Sequence, residues 1–228
     1  MVLHRTQPRS YGTFVAQVQR LAALALVAMW CGLAAASDWP VKIVVLGDSL
    51  SAGLGLPVEA AFPAKLAIAL KAKGIEVTVA NAGVSGDTAS GGLGRLDWSV
   101  PDGTEAVILE LGANDALRGM DPKLTKAALD DIIGKLKQRH ITVLLAGMLA
   151  PRNMGPDYVR SFDAVFPTLA STHGVVFYPF FLEGVAGNAK LNQPGGLHPT
   201  AAGVDVIVAR ILPKVEELIA KVRAARGS

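Results

Sequence analysis

The sequence predicts one α/β domain in which a parallel sheet is covered by helices on both faces. Three observations predict it. Short runs that are apolar almost throughout, 41–46, 106–111 and 141–146, read as strands buried on both sides. Between them lie segments whose apolar residues recur at helical spacing. The two kinds of segment alternate after residue 36 without a repeat, a low-complexity stretch or a linker, which fits one sheet layered with helices.

Taken in order, residues 41–46 form a first strand ended by Gly47, and 60–73 a helix closed by Gly74, a C-terminal signal. Residues 75–80 read as a second strand. A short helix starts near Asp87 and Thr88, both good N-cap residues, with Leu93 and Leu96 facing inward. The third strand is 106–111. A long helix over 122–139 sets Leu124, Ala128, Ile132 and Leu136 at helical spacing. A fourth strand, 141–146, leads to a helix over 158–172 and a fifth strand over 175–178. A helix over 200–224 follows, with a break expected at Pro213 because proline lacks the N–H that the helix needs.

The 51% hydrophobic content and 18% charge describe a chain with a full core. Its formal charge of +3 comes entirely from residues 1–36, which carry Arg5, Arg9 and Arg20 and no acidic residue; beyond them 19 basic residues face 19 acidic ones. Nothing there argues for nucleic acid or an anionic surface as partner. Residues 1–36 read as a secretory signal: a basic stretch, an apolar run over 21–33, and Ala34-Ala35-Ala36 as a small-residue cleavage pattern. The run is short for a membrane span of about 20 residues. The expected division is therefore a signal over 1–36 and a domain over 37–228. Cys31 falls within the signal, so the mature domain carries no cysteine and its stability rests on the core.

In a sheet of this kind the site lies beyond the carboxyl ends of the strands. The first such loop reads Gly47-Asp48-Ser49-Leu50-Ser51 and places a serine directly after a strand. An ordinary serine that caps a helix has the same placement, so this loop alone does not establish a nucleophile. The loop Asn81-Ala82-Gly83-Val84-Ser85-Gly86-Asp87-Thr88 offers backbone N–H groups beside a helix start, where an anion can bind. Gly112-Ala113-Asn114-Asp115 presents an amide just past a buried strand; a turn-forming Asn-Asp pair reads the same way. Asp48, Asp87 and Asp115 read as loop-fixing carboxylates rather than acid catalysts. Among four histidines, His4 lies in the signal, and His140 and His173 sit where helices end on the opposite face, placed to interact with helix C-termini. His198 alone occupies a loop at the expected end.

These blocks occur together. Gly47-Asp48-Ser49-Leu50-Ser51, Ser85-Gly86-Asp87-Thr88, Gly112-Ala113-Asn114-Asp115 and Leu197-His198-Pro199, in that order, resemble the four blocks of the SGNH (GDSL) hydrolases. The resemblance is to the branch of multifunctional thioesterase/lysophospholipases and bacterial arylesterases. It extends to Leu109-Glu110-Leu111 and Pro179-Phe180-Phe181. It implies a flavodoxin-like three-layer α/β/α sandwich with five parallel strands in the order 2-1-3-4-5. It also implies a serine esterase with Ser49 as nucleophile and His198 as base. Ser49 N–H, Gly86 N–H and the Asn114 amide would be the oxyanion donors. In this branch the segment after the fourth strand borders the acyl site, here including Leu149, Pro151 and Met154.

One position departs from the family. An aspartate three residues before the histidine orients the imidazole in these enzymes, and here that position is Gly195. Asp205, in the following helix, is the nearest later acid. Three readings stay open: a backbone carbonyl or water orients His198, the chain is an impaired variant, or it has lost catalysis and binds acyl or sugar ligands. Other classes are disfavoured. Gly53-Leu54-Gly55-Leu56 lacks the lysine of a phosphate loop, and no Gly-x-Ser-x-Gly elbow is present. No metal-ligand spacing occurs, so neither metal nor cofactor is expected. The expected partner is a small ester or thioester, with no stable membrane span in the mature form.

Overall fold

The computed structural model describes residues 39–227; the expected signal lies outside them. Five parallel strands form one sheet: β1 (Val41–Gly47), β2 (Val77–Gly83), β3 (Ala106–Glu110), β4 (Thr142–Ala146) and β5 (Val176–Tyr178), in the order β2-β1-β3-β4-β5. The expected fold class and strand order hold. Central β3 is buried at every residue, which is why its sequence is continuously apolar up to Glu110.

The helices are α1 (Ser49–Ala52), α2 (Phe62–Ala72), α3 (Ala89–Gly94), α4 (Leu96–Ser99), α5 (Ala113–Leu117), α6 (Pro122–Gln138), α7 (Pro156–Asp163), α8 (Val165–His173) and α9 (Ala201–Arg226). α2 and α9 pack together on one face, while α6 packs with α3 and α8 on the other. The core lies between these layers and the sheet, with Phe62 edge-on to Phe181 at 5.0 Å on the α2 side. Among the described residues no helix is long and apolar enough to cross a membrane.

Several elements differ from the sequence reading, each for a physical reason. β2 is an edge strand and runs through Gly83, so Asn81, Ala82 and Gly83 are strand and not loop. The helix expected over 158–172 is two helices that meet at Ala164. Pro167 has no N–H to offer the carbonyl of Asp163, and the break falls there. Pro213 has the same defect, yet α9 is continuous across it. Ala209 and Pro213 are both exposed, so water can reach the freed carbonyl, while Ile207, Ile211, Val215 and Leu218 hold the buried face. Leu124 is 56% exposed; the inner face of α6 is Ala128, Leu129, Ile132, Ile133 and Leu136, with Thr125.

The register places the site. Gly47 pairs with both Gly83 and Glu110, so β1, β2 and β3 end level. The three loops that leave them start from one edge of the sheet.

Candidate active site

Asp48 caps α1, its Oδ1 accepting the Leu50 N–H at 2.9 Å. Ser49 is therefore the first residue of the helix and not its cap. It is 8% exposed, and its Oγ lies 2.9 Å from Nε2 of His198. Gly47 serves close approach rather than a tight turn. A Cβ there would stand 2.3 Å from Ser51 Oγ and 2.6 Å from the carbonyl and a carboxylate oxygen of Glu110.

After β2 the chain passes through Gly86 in the left-handed region, at φ +83°, a conformation that favours glycine. Its carbonyl accepts from Arg118 Nη2 at 2.8 Å. Thr88 caps α3. Asn114, in α5, donates Nδ2–H to Asp48 Oδ2 at 3.0 Å and to the Asp87 carbonyl at 2.9 Å. A single amide thus ties the loops leaving β1, β2 and β3. Asp115, fully buried, accepts from the Ala89 N–H at 2.9 Å and from the Thr125 hydroxyl at 3.0 Å, joining the start of α3 to α6.

His198 stands in the loop before α9. Gln193 braces this loop: its N–H donates to the His198 carbonyl at 2.8 Å, and its side chain donates to the carbonyls of Leu54 and Pro199. Among the described residues none hydrogen-bonds Nδ1 of His198. Gly195 has φ +102°, and a Cβ there would meet nothing within 4 Å. Asp205 pairs with Lys65 at 3.0 Å.

Comparison with known proteins gives this geometry a family. The sequence profile of the GDSL-like Lipase/Acylhydrolase family matches residues 45–206. The chain belongs to that family. It is 42% identical over 180 residues to the arylesterase of Vibrio mimicus, covering 77% of this chain and 88% of the relative. It is 38% identical over 167 residues to thioesterase 1/protease 1/lysophospholipase L1 of Escherichia coli, covering 73% and 77%. The crystal structure of AlinE4, an SGNH-hydrolase family esterase, superposes with a TM-score of 0.67 at 43% identity, covering 78% of this chain and 96% of that one.

In this GDSL-family chain a cleft of about 440 Å³ opens between Ser49, Asn114 and His198, within the usual range for a small-molecule site. Its walls are apolar: Leu117, Leu149, Pro151, Phe180 and Leu182, with Leu197 half-exposed at the mouth. Leu149 and Pro151 are part of its wall. Met154 is not; it lies in a short turn (Arg152–Met154) with its methyl group near Gly119. A hollow of about 510 Å³ beside Lys123, Lys126 and Tyr158 contains neither Ser49 nor His198 and belongs to another part of the surface. His173 hydrogen-bonds Asp130 at 2.5 Å, so a side chain and not a helix end holds it.

Sequence reasoning missed two residues. Arg95 is buried, and its guanidinium donates to Asp87 Oδ2 (2.6 Å), the Ala82 carbonyl (2.7 Å), Ser99 Oγ (3.0 Å) and the Gly47 carbonyl (2.8 Å). It clamps the ends of β1 and β2 to the Gly86 loop, a fork geometry that lysine cannot reproduce. The one signal was an arginine among the apolar residues between α3 and α4. Glu110 is fully buried at the end of β3 beneath α1, where Asp48 N–H approaches its Oε2 at 3.4 Å. Burial, and next the charge of Asp48, pushes the Glu110 carboxyl well above the usual range. Burial also raises Asp48, to about 6, against the lowering effect of its Leu50 and Asn114 hydrogen bonds, with Asp115 and Asp87 adding to the rise.

Proposed function

We propose that the chain is an exported serine esterase that hydrolyses aryl and acyl esters through an acyl-enzyme on Ser49. The observation that carries this reading is the 2.9 Å contact between Ser49 Oγ and His198 Nε2 at the floor of an apolar cleft. His198 Nε2 takes the hydroxyl proton as Ser49 Oγ attacks the ester carbonyl carbon. The oxyanion receives Ser49 N–H, Gly86 N–H and an Asn114 amide hydrogen. Both Asn114 hydrogens are engaged in this structure, so the oxyanion shares or replaces the bond to Asp48 or to the Asp87 carbonyl. The tetrahedral intermediate collapses, His198 gives its proton to the departing alcohol, and water then repeats the sequence on the acyl group. The apolar walls suit an acyl chain or an aryl leaving group. The names of the arylesterase and lysophospholipase relatives extend the reading to thioesters and lysophospholipids. Export rests on the pattern of residues 1–36.

Gly195 favours a second reading, an impaired or purely ligand-binding homologue. Loss of the orienting carboxylate costs about 10⁴-fold in kcat in serine proteases. The deciding experiment assays the protein, Ser49→Ala and Gly195→Asp on a short-chain aryl ester, with an organophosphonate as a probe for Ser49. The esterase reading expects phosphonate on Ser49 and turnover that Ser49→Ala abolishes. Gly195→Asp should raise kcat, by less than the full 10⁴ because φ +102° strains any L-residue. An unlabelled Ser49 with all three proteins inert leaves the binding reading.

A further inference from the structure

Glu110 is a buried carboxyl that the reaction above does not use. It is fully buried, and the Asp48 N–H approaches its Oε2 at 3.4 Å, while the Ser51 hydroxyl beside it donates to the Asp48 carbonyl at 3.3 Å. These contacts hold the two residues that flank Ser49 and Leu50 at the first turn of α1. Packing here is close, since a Cβ on Gly47 would stand 2.6 Å from Oε2 and 2.3 Å from Ser51 Oγ. Its other oxygen, Oε1, finds no hydrogen-bond partner among the described residues. A buried carboxylate with an unpartnered oxygen is strongly disfavoured, whereas a neutral carboxyl tolerates the same place far better.

We propose that Glu110 is a positioning residue for the esterase reaction: as an uncharged carboxyl it braces the Asp48–Ser51 turn from beneath, fixing the Ser49 oxygen and the Ser49 N–H relative to His198. The inference rests on the reading of Ser49 as nucleophile. The groups that surround Glu110 agree on its charge state. Asp48 is the charged group it faces, and Asp115 and Asp87 stand behind Asp48. Arg95, whose guanidinium reaches the Gly47 carbonyl, is engaged by Asp87, Ser99 and the carbonyls of Gly47 and Ala82. Ionising Glu110 adds a second negative charge under the place where the oxyanion develops and strains the turn that carries the nucleophile. Because burial raises the Glu110 carboxyl well above the usual carboxylate range, its proton is lost only as pH rises, on the opposite limb from protonation of a catalytic base.

The test compares the protein with Glu110→Gln and Glu110→Ala. It follows kcat and KM on an aryl ester from pH 6 to 10, the rate of Ser49 phosphonylation over the same range, and the melting transition of each. Wild type should lose kcat and phosphonylation rate as pH rises through the alkaline range, with KM held. Glu110→Gln, neutral at every pH, should lack that fall and recover most of what Glu110→Ala loses. Glu110→Ala should lose about 10-fold or more in kcat while still melting cooperatively, the penalty of a misplaced nucleophile. An alkaline fall identical in wild type and Glu110→Gln overturns the proposal, as does a folded Glu110→Ala with wild-type kcat. Should Glu110→Ala not fold, the Gln profile decides. Failure to phosphonylate wild-type Ser49 overturns the esterase reading and this proposal together; failure confined to the Glu110 variants overturns this one alone.

Discussion

The two halves of the candidate site are built to different standards. On the oxyanion side, Asn114 bridges Asp48 and Asp87, Arg95 ties Asp87 to the ends of β1 and β2, and Asp115 anchors α3 to α6. Asp48, Arg95, Glu110 and Asp115 are all buried. On the histidine side, His198 is carried by a loop whose residues 194–197 are exposed, held mainly by Gln193. The difference teaches which part of the chemistry tolerates loss. In the proposed reaction a developing oxyanion needs donors fixed in advance, and the Asn114 amide is fixed by interlocked bonds. Proton transfer needs one ring in one orientation, which a solvent-facing group can supply.

Breaking the rigid half should have the largest effect. Asn114→Ala removes the proposed oxyanion donor and the link between three loops, and kcat should fall by about 10²–10³-fold with a much smaller change in KM. Steady-state kinetics on an aryl ester check it; a loss carried mainly by KM would place Asn114 in substrate binding instead. The histidine side should respond in the opposite direction. Formate or acetate, added to the unmodified protein, can reach the open space at Gly195 and accept the Nδ1–H of His198. Activity should then rise saturably, by about 10-fold or more out of the roughly 10⁴ that an orienting carboxylate supplies. Chloride at equal ionic strength should give no such rise, and Gly195→Asp should respond little.

The smallest effect is one of stability. Asp48 has its carboxyl raised to about 6 by burial, from an unfolded value near 3.8. The folded state thus binds the proton more tightly than the unfolded chain does, and the contribution of Asp48 to stability declines as pH rises from about 3.8 to 6. Urea midpoints of the protein and of Asp48→Asn at pH 4.5, 6 and 7.5 should show wild type losing ground to the variant as pH rises, by on the order of 2 kcal/mol. A difference that is flat or grows in favour of wild type would show that hydrogen bonding, not burial, controls the group.

The same contrast explains what could be read from the sequence. β1, β3 and β4 were legible to within a residue or two, because strands buried on both faces leave a continuous apolar run. β2 was misplaced because it lies at the sheet edge and is half-exposed, so its last three residues, Asn81, Ala82 and Gly83, look like a loop. The helices α1 and α5 were missed because one turn is too short for periodicity to register. Within the site, Ser49, Gly86, Asn114 and His198 were legible as four blocks in loops at one sheet edge. Arg95 and Glu110 were not, since their importance lies in partners 8 to 62 positions away that only the register brings within reach.

Ser49 and His198 are separated by 149 positions along the chain, and their hydrogen bond closes nearly the whole described domain into one loop. Such a contact gains nothing until the intervening sheet has paired and the segment before α9 has docked, because closing a loop of that length in an unstructured chain is entropically unfavourable. On the proposed serine–histidine mechanism, catalytic competence is therefore among the last properties to appear during folding. Recovered turnover after dilution from denaturant reports completion of the entire architecture, a stricter criterion than the return of helical circular dichroism.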